Sequence, residues 1–211
     1  VVLWKGSPFP GLRAFLPADE PIFFGRGREI DLLVKQVSES RFVAVIGASG
    51  SGKSSLVGAG LIPRLENNAI NGSRNWVWFR FTPGASGDNP FIALAKAVKE
   101  TSVKGDDYAH VIINMLLMNL DLAKHLWNDA IREVRLPITW DSSKPDTPLS
   151  ATMKPQEVIY KGLASTFRWT GLVLFIDQFE ELFTLVKAEY IAPFTALLVA
   201  LATSQQVRVI V

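Results

Sequence analysis

The chain has 211 residues, of which 48% are hydrophobic, and this is enough to build one full α/β core. It contains no cysteine, which excludes a disulfide framework and any thiolate metal site. The net charge is only +2 and the basic residues are scattered among acids, so the basic footprint of a dedicated nucleic-acid binder is missing. Because the sequence does not open with a secretory leader pattern, we expect a soluble cytoplasmic domain.

The first predicted elements are a helix and the strand that follows it. Ile30, Leu33, Val34 and Val37 recur at the i, i+3, i+4, i+7 spacing of a helix with one buried face. Residues 41–46 read RFVAVI and are predicted to form a strand. This strand is expected to lead directly into the strongest motif of the chain.

A glycine-rich loop follows the strand, and residues 43–55 together read VAVIGASGSGKSS. The four residues that satisfy the P-loop pattern G-x-x-x-x-G-K-[ST] are Gly47, Gly52, Lys53 and Ser54. Glycines let successive backbone amides point inward around an anion, and the helix that begins near Lys53 adds its partial positive charge. The alternative, a Gly/Ser-rich turn that matches by chance, is opposed by the strand and helix signals on either side. The motif therefore predicts a nucleoside triphosphate ligand.

The loop residues have individual predicted roles around the phosphates. Lys53 reaches the β and γ phosphates, and the Ser54 hydroxyl is a hard oxygen ligand suited to Mg²⁺. Ser55 extends the row of amides toward the α-phosphate. The predicted nucleotide-binding residues of the loop are Gly47, Ser49, Gly50, Ser51, Gly52, Lys53, Ser54 and Ser55.

A second strand and a helix are predicted after the loop. The helix that starts at the loop is expected to end near Pro63. Residues 76–81 read WVWFRF and are predicted to form a strand, with its two tryptophans buried against helices rather than stacked on bases. A Pro-Gly turn and a helix over residues 90–99 follow.

Residues 104–155 carry no recognised motif and are expected to form a variable region of helices and loop. One or two helices are predicted between residues 106 and 135. The apolar residues expected along them are Val111, Met115, Leu116, Leu122, Leu126 and Ile131. Residues 136–155 contain four prolines among Ser, Asp and Thr, which indicates a surface connection. A further helix is predicted to start at Pro155, with three inward residues, Ile159, Leu163 and Phe167.

An acidic motif follows the next predicted strand. Residues 172–176 read LVLFI, an apolar run typical of a parallel strand buried on both faces. The run ends in Asp177, which is predicted to hold Mg²⁺ through its water shell, as in a Walker B motif. Glu180 and Glu181 are both candidates to orient or deprotonate the attacking water. The alternative is a core strand with a solvated acidic turn, which the P-loop in the same chain disfavours.

The last predicted elements are a helix and a strand. Residues 190–203 are apolar but too short to span a bilayer, and they contain Pro193, so we expect a core helix and no membrane segment. Residues 207–211 are predicted to form a strand. The alternation of strands and helices predicts a parallel sheet with helices on both faces, and with the motif loops along its carboxyl edge.

Three separate blocks of the sequence resemble the novel STAND NTPases often called nSTAND1. The blocks read PFPGLRAFLPADEPIFFGRGREIDLL at the N-terminus, RFVAVIGASGSGKSSLVGAGLIPRL around the P-loop and LVLFIDQFEELFTL at the acidic motif. The spacing Asp-x-x-Glu-Glu also resembles the STAND arrangement rather than the adjacent Asp-Glu of AAA+ proteins.

The resemblance assigns roles to residues inside and outside the P-loop. The FGR element that lies over the adenine in the family corresponds to Phe24, Gly25 and Arg26, within an adenine-side segment of residues 1–28. Asp177 matches the Mg²⁺-associated acid, Glu181 the catalytic glutamate and Glu180 an auxiliary acid. Together with Lys53, the two glutamates make up the implied catalytic set.

The resemblance also implies a fold and a function. The fold is the P-loop NTPase three-layer αβα sandwich of the additional-strand kind, similar to STAND and AAA+ proteins, in which residues 207–211 lie between the P-loop and Walker B strands. Residues 1–211 are expected to be its nucleotide-binding domain, incomplete before the last strand and the lid. The implied function is an Mg²⁺-dependent ATPase switch with ATP or ADP bound, in a signalling or defence regulator that forms a homo-oligomer with ATP. Effector and repeat sensor domains are the implied partners in the full-length protein.

Two other functions stay open at this point. One is a nucleotide-binding assembly platform that does not hydrolyse ATP, in which Glu180 and Glu181 are merely solvated. The other is a P-loop kinase that acts on a small molecule, and the FGR block argues against it.

Overall fold

The computed structural model describes residues 11–102, 113, 120–136 and 171–211. The chain divides into two units. The first unit comprises Val1–Arg80, Gly171–Asp177 and Ala202–Val211, and the second comprises Phe81–Thr170 and Gln178–Leu201. The sheet and the glycine-rich loop, defined as residues 47–54, belong to the first unit, whereas most of the helices after residue 81 belong to the second.

The first unit begins with a 3₁₀ helix, Pro17–Ile22, and helix α1, Gly27–Glu39. Helix α1 confirms the predicted periodicity, because Ile30, Leu33 and Val37 are buried and Val34 is partly buried against the same core cluster. One apolar stripe of α1 therefore faces the core of this unit.

Strand β1, Phe42–Val43, is shorter than the predicted strand over residues 41–46. It lies at the edge of the described sheet and pairs there with one neighbour. Backbone hydrogen bonds nevertheless continue along it, since Arg41 O accepts from Val209 N at 2.8 Å and Val45 N donates to Val211 O at 2.7 Å. Pairing from one side keeps the segment extended, although regular strand geometry covers only two residues.

The helical run after the glycine-rich loop ends at Glu66, three residues beyond Pro63, near which it was expected to end. It begins as α2, Lys53–Ser55, passes through a π-helical segment, Leu56–Leu61, and ends as α3, Ile62–Glu66. The π segment closes where Ile62 N donates to Val57 O. Pro63 is the second residue of α3 and has no backbone N–H to donate within the helical run.

The sheet of the first unit has four strands, all parallel, in the order β1, β4, β3, β2. The other three strands are β2, Trp76–Phe81, β3, Gly171–Ile176, and β4, Val207–Ile210. Strand β4 pairs in parallel with both β1 and β3. The prediction that the last strand lies between the strand of the glycine-rich loop and the strand of the acidic motif is therefore confirmed.

The core of the first unit lies between the sheet and two helical segments. Its apolar cluster combines residues from α1, from the helical run after the loop and from the strands, among them Ile30, Leu33, Val37, Val43, Leu61, Ile62, Val173, Phe175 and Ile210. Trp76 and Trp78 are partly buried against this cluster, while alternate residues of β2 are fully buried. The helices thus hold the carboxyl ends of β1 and β3 in place, where the loop and the acidic motif begin.

The second unit is described through four helices. They are α4, Pro90–Ser102, α5, Asp121–Glu133, α6, Glu181–Thr184, and α7, Ala188–Thr203, whose last two residues belong to the first unit. The Phe194 ring of α7 makes edge contacts with the rings of Phe81 and Phe91, at centroid distances of 6.1 and 5.2 Å. None of the helices in the described residues has the length and apolar character needed to cross a membrane.

Helix α5 buries a different face from the one that its leucines indicated. Its buried residues are Ala123, Trp127, Ala130 and Ile131. Leu122 is 61% exposed and Leu126 is only half-buried. The large indole of Trp127 sets the buried stripe, and Leu122 then points away from it.

Several predicted elements lie outside the described residues. They are the helical positions Val111, Met115 and Leu116, most of the connection over residues 136–155, and the helix with Ile159, Leu163 and Phe167.

Candidate functional site

The glycine-rich loop follows β1 and ends in a left-handed glycine that starts the next helix. Gly50 and Gly52 have φ values of 75° and 83°, which L side chains rarely adopt. Gly52 is the N-cap of α2, and its carbonyl accepts from Leu56 N at 2.8 Å. The loop therefore presents its backbone at the N-terminus of a helical run, where amide groups and the helix dipole favour an anion.

Two cations lie against the loop. The Lys53 ammonium donates to Gly47 O at 2.8 Å and to Ala48 O at 3.1 Å, so it is held beside the first residues of the loop. Arg26 Nη1 donates to Ser51 O at 3.2 Å and so brings the residue before α1 to the loop. Both cations therefore lie against backbone carbonyls of the loop, and Arg26 also pairs with Glu29, with its Nε 2.8 Å from Glu29 Oε1.

A cavity of about 280 Å³ opens beside the loop within the first unit. Its walls include Arg26 and Leu33 from the α1 side, Val45 after β1, and Lys53 at the loop. Phe24 and Gly25 come just before Arg26 in the sequence. Phe24 is 79% exposed, and Gly25 has a φ of 85°. The lining is largely apolar and includes three charged residues, Arg26, Glu29 and Lys53, a combination that is typical of small-molecule sites.

Ser54 and Asp177 are in direct contact, although 123 positions separate them in the sequence. Ser54 Oγ donates to Asp177 Oδ1 at 2.7 Å. Both side chains offer hard oxygen atoms, the donor type that Mg²⁺ prefers. The described residues hold no group of three or more His, Cys, Asp or Glu able to bind a metal by itself. The donor set therefore fits Mg²⁺ that also keeps water and phosphate ligands, and does not fit an all-protein metal cage.

Arg80 is a member of this cluster that the sequence analysis did not identify. It stands near the end of β2, the neighbour of β3 in the sheet, and its Nη2 pairs with Asp177 Oδ2. Its guanidinium also lies over the Phe175 ring, 5.5 Å from the centroid. In the sequence, Arg80 is a single cation within a strand rich in aromatic residues. That strand and the strand before Asp177 end at the same edge of the sheet.

Ser55 contributes its side chain to a contact outside the loop. It is buried, and its Oγ accepts a hydrogen bond from Phe15 N at 3.1 Å. Close by, Asp19 accepts from Arg13 Nη1 at 2.5 Å and from Leu16 N at 2.7 Å, which holds the pKa of Asp19 down at about 2. The segment before α1 is thereby bonded to α2, which follows the glycine-rich loop.

The two glutamates of the acidic motif belong to the second unit and differ from each other. Glu181 is half-buried, and its Oε2 accepts from Gly84 N at 3.0 Å, in the turn after β2. Glu180 is exposed, and its backbone carbonyl accepts from Thr184 Oγ1 at 3.2 Å. Gln178, just before them, has a φ of 52°, so the chain turns sharply after Asp177. Only Glu181 has a described contact that fixes the direction of its carboxylate.

Comparison with known proteins identifies the family. The family model described as novel STAND NTPase 1, nSTAND1, matches residues 8–211. No curated protein matches the chain, and no solved structure matches it either. The matched range includes the FGR element, the glycine-rich loop and the acidic motif. The chain therefore belongs to the novel STAND NTPase 1 family and is a STAND-type NTPase.

Proposed function

We propose that this chain is the ATP-binding and ATP-hydrolysing module of a STAND switch, with the additional-strand P-loop fold. The observation that carries the proposal is the hydrogen bond between Ser54 and Asp177 beside the glycine-rich loop. It joins the residue expected to hold Mg²⁺ from the loop to the residue expected to hold it from the acidic motif. Two motifs that are separate in the sequence thus act on one ligand.

Nucleotide binding rests on the residues of the first unit. The loop amides and the helix N-terminus receive the β-phosphate, and Lys53 turns from the loop carbonyls to the β and γ phosphates. The base lies on the side of Phe24, Gly25 and Arg26, along the cavity beside α1. Arg26 supports this assignment, because its hydrogen bond to Ser51 O already connects the FGR element to the loop.

The metal would be held by Ser54 directly and by Asp177 through water. Mg²⁺ bound there would neutralise charge on the β and γ phosphates. The chain's own part is to keep the serine hydroxyl and the carboxylate together, and the Asp177 side chain is only 10% exposed.

Hydrolysis is assigned to Glu181, with Glu180 as an auxiliary acid. The Gly84 amide binds one carboxylate oxygen of Glu181, which leaves the other oxygen to accept a proton from water. Exposed Glu180 has no comparable anchor among the described contacts. This difference supports Glu181 as the base that orients the attacking water.

We further propose that ATP and ADP favour two different arrangements of the protein. ATP and ADP differ by the γ-phosphate, which makes contacts that only one arrangement of the surrounding parts can satisfy. We assign oligomerisation to the ATP state and the inactive form to ADP. The signalling or defence role, with its effector and sensor partners, is proposed from the resemblance to the family.

The test of the proposal is nucleotide affinity in the Lys53→Ala variant, measured by titration with a fluorescent ATP analogue. A charge-assisted hydrogen bond is worth about 1.5–3 kcal/mol, so the loss of this cation should weaken binding by about 100-fold. The matched control is Lys35→Ala, which removes one charge from an exposed position of α1. Equal affinity in Lys53→Ala and Lys35→Ala would overturn the assignment of the loop as a phosphate site.

A further inference from the structure

Asp177 has both carboxylate oxygens bound to side chains of the same unit. Oδ1 accepts from Ser54 Oγ at 2.7 Å, and Oδ2 pairs with Arg80 Nη2. Neither the P-loop pattern nor the acidic motif includes Arg80. The cation comes from a third place in the sequence, 97 positions before Asp177.

The ion pair between Arg80 and Asp177 is partly shielded from solvent. The Asp177 side chain is 10% exposed and that of Arg80 is 30% exposed. The guanidinium is also covered on one face by the Phe175 ring, which limits its freedom to move into solvent. An ion pair that is partly shielded from water is stronger than one on an open surface.

A guanidinium can only donate hydrogen bonds, so it cannot itself bind a metal ion. A divalent cation or its water shell needs acceptor oxygens of the carboxylate that Arg80 holds. Two like charges that approach one carboxylate also repel each other. Arg80 and Mg²⁺ are therefore competitors for Asp177.

We propose that Arg80 is a positioning residue that holds Asp177 until Mg²⁺ arrives with nucleotide, and that it raises the Mg²⁺ concentration which nucleotide binding requires. The inference rests on the proposed function, in which Ser54 and Asp177 hold the metal. It adds a threshold: the site takes up Mg²⁺ with nucleotide only when the ion can displace the guanidinium.

The experiment measures the affinity of the full chain for fluorescent ADP across a series of Mg²⁺ concentrations. ADP is used because it is not hydrolysed. In Arg80→Gln the half-saturating Mg²⁺ concentration should fall by about fivefold, a factor expected for the loss of one competing ion pair. Arg80→Lys retains the charge and should restore a value close to that of the unmodified chain.

The matched control is Arg64→Gln, which also removes one positive charge from the first unit. Arg64 pairs with Asp31 at 3.6 Å, and both side chains are at least half exposed. In Arg64→Gln the half-saturating Mg²⁺ concentration should stay that of the unmodified chain. Arg80→Met keeps the apolar stem over Phe175 and should show the same fall as Arg80→Gln, which separates the charge from the packing.

Two results would overturn the inference while leaving the proposed function standing. One is an unchanged Mg²⁺ requirement in Arg80→Gln and Arg80→Met, and the other is an increased requirement, which would mean that Arg80 prepares Asp177 for the metal. If the unmodified chain bound no ADP at any Mg²⁺ concentration, the proposed function would itself be wrong. Circular dichroism of each variant verifies that the fold is retained.

Discussion

Asp177 and Glu181 are four positions apart, yet they are held in different ways and in different units. Asp177 is buried, and side chains from two distant segments bind its two oxygens. Glu181 is half-buried, and its described anchor is one backbone amide, that of Gly84. The first arrangement is a preorganised binding network, whereas the second fixes one carboxylate and leaves an oxygen available. From this contrast we expect single substitutions to separate the proposed nucleotide binding from the proposed hydrolysis.

The largest effect that would test this contrast is expected from Glu181→Gln. The amide keeps the shape of the side chain but removes the proposed base, so single-turnover ATP hydrolysis should slow by about 10²–10⁴-fold. ATP affinity should stay within about twofold, because Glu181 is assigned to the hydrolytic step and not to nucleotide binding. Quench-flow measurement of product on pre-bound ATP gives the rate.

The matched control for this substitution is Glu180→Gln, at the exposed neighbouring position. Its rate should remain within about tenfold of the unmodified chain, as expected for an auxiliary acid. Equal rates in all three proteins would remove the catalytic role and favour the assembly platform that does not turn over.

An intermediate effect is expected from Gly52→Ala, which alters the glycine-rich loop and leaves the acidic motif unchanged. Alanine at a φ of 83° costs about 1–2 kcal/mol, and relief of that strain would move the loop amides. ATP affinity should fall by about tenfold, while hydrolysis of the ATP that is bound should continue. Isothermal titration calorimetry measures the ATP affinity, and single-turnover kinetics measure the rate of hydrolysis.

Gly27→Ala is the matched control, because a Cβ at the first residue of α1 would meet no atom within 4 Å and Gly27 has no positive φ. It should leave affinity unchanged. If Gly27→Ala lost as much ATP affinity as Gly52→Ala, the positive φ of Gly52 would not be the cause of the loss.

The smallest effect is expected from Asp19→Asn, in the segment tied to Ser55. The hydrogen bonds from Arg13 and from Leu16 N lower the pKa of Asp19 from 3.8 to about 2. A depressed folded-state pKa adds stability above the unfolded-state value, and this stability is lost as the pH falls through about 2. At pH 7 the variant should therefore melt at a temperature a few degrees lower.

Melting curves at pH 7, 3.5 and 2.5 provide the measurement. The difference between Asp19→Asn and the unmodified chain should shrink across the series, whereas Asp31→Asn, at an exposed side chain, should differ little at any pH. A difference that stayed constant with pH would mean that the charge of Asp19 is not its source.

Much of the first unit was predictable, because its signals are local. The burial of Ile30, Leu33 and Val37 follows from helical periodicity, and the bounds of β2 follow from alternation between turn signals. The position of β4 came from the family resemblance, not from periodicity. The helix after the glycine-rich loop ends at Glu66, close to the predicted end near Pro63, but no pattern in the sequence predicted its π-helical segment.

Other features could not be read from local patterns. Arg208 sits in the apolar strand β4, yet it is buried, with its guanidinium 3.8 Å from the centroid of the Trp76 ring and its Nε bonded to Val37 O at 2.9 Å. Its burial lowers its pKa to about 10. Likewise, Leu122 fits a helical stripe in the sequence but is exposed, because Trp127 takes the buried side of α5.

The sequence by itself determined the glycine-rich loop, the buried strand that ends in Asp177, and the family, because each depends on residues that are neighbours along the chain. Only the tertiary structure decided what meets the Asp177 carboxylate. Ser54 and Arg80 reach it from 123 and 97 positions away, since parallel strands bring their carboxyl ends to one edge of the sheet and β3 lies beside β2. Strand order is a property of the folded sheet, and no periodicity in the sequence records it.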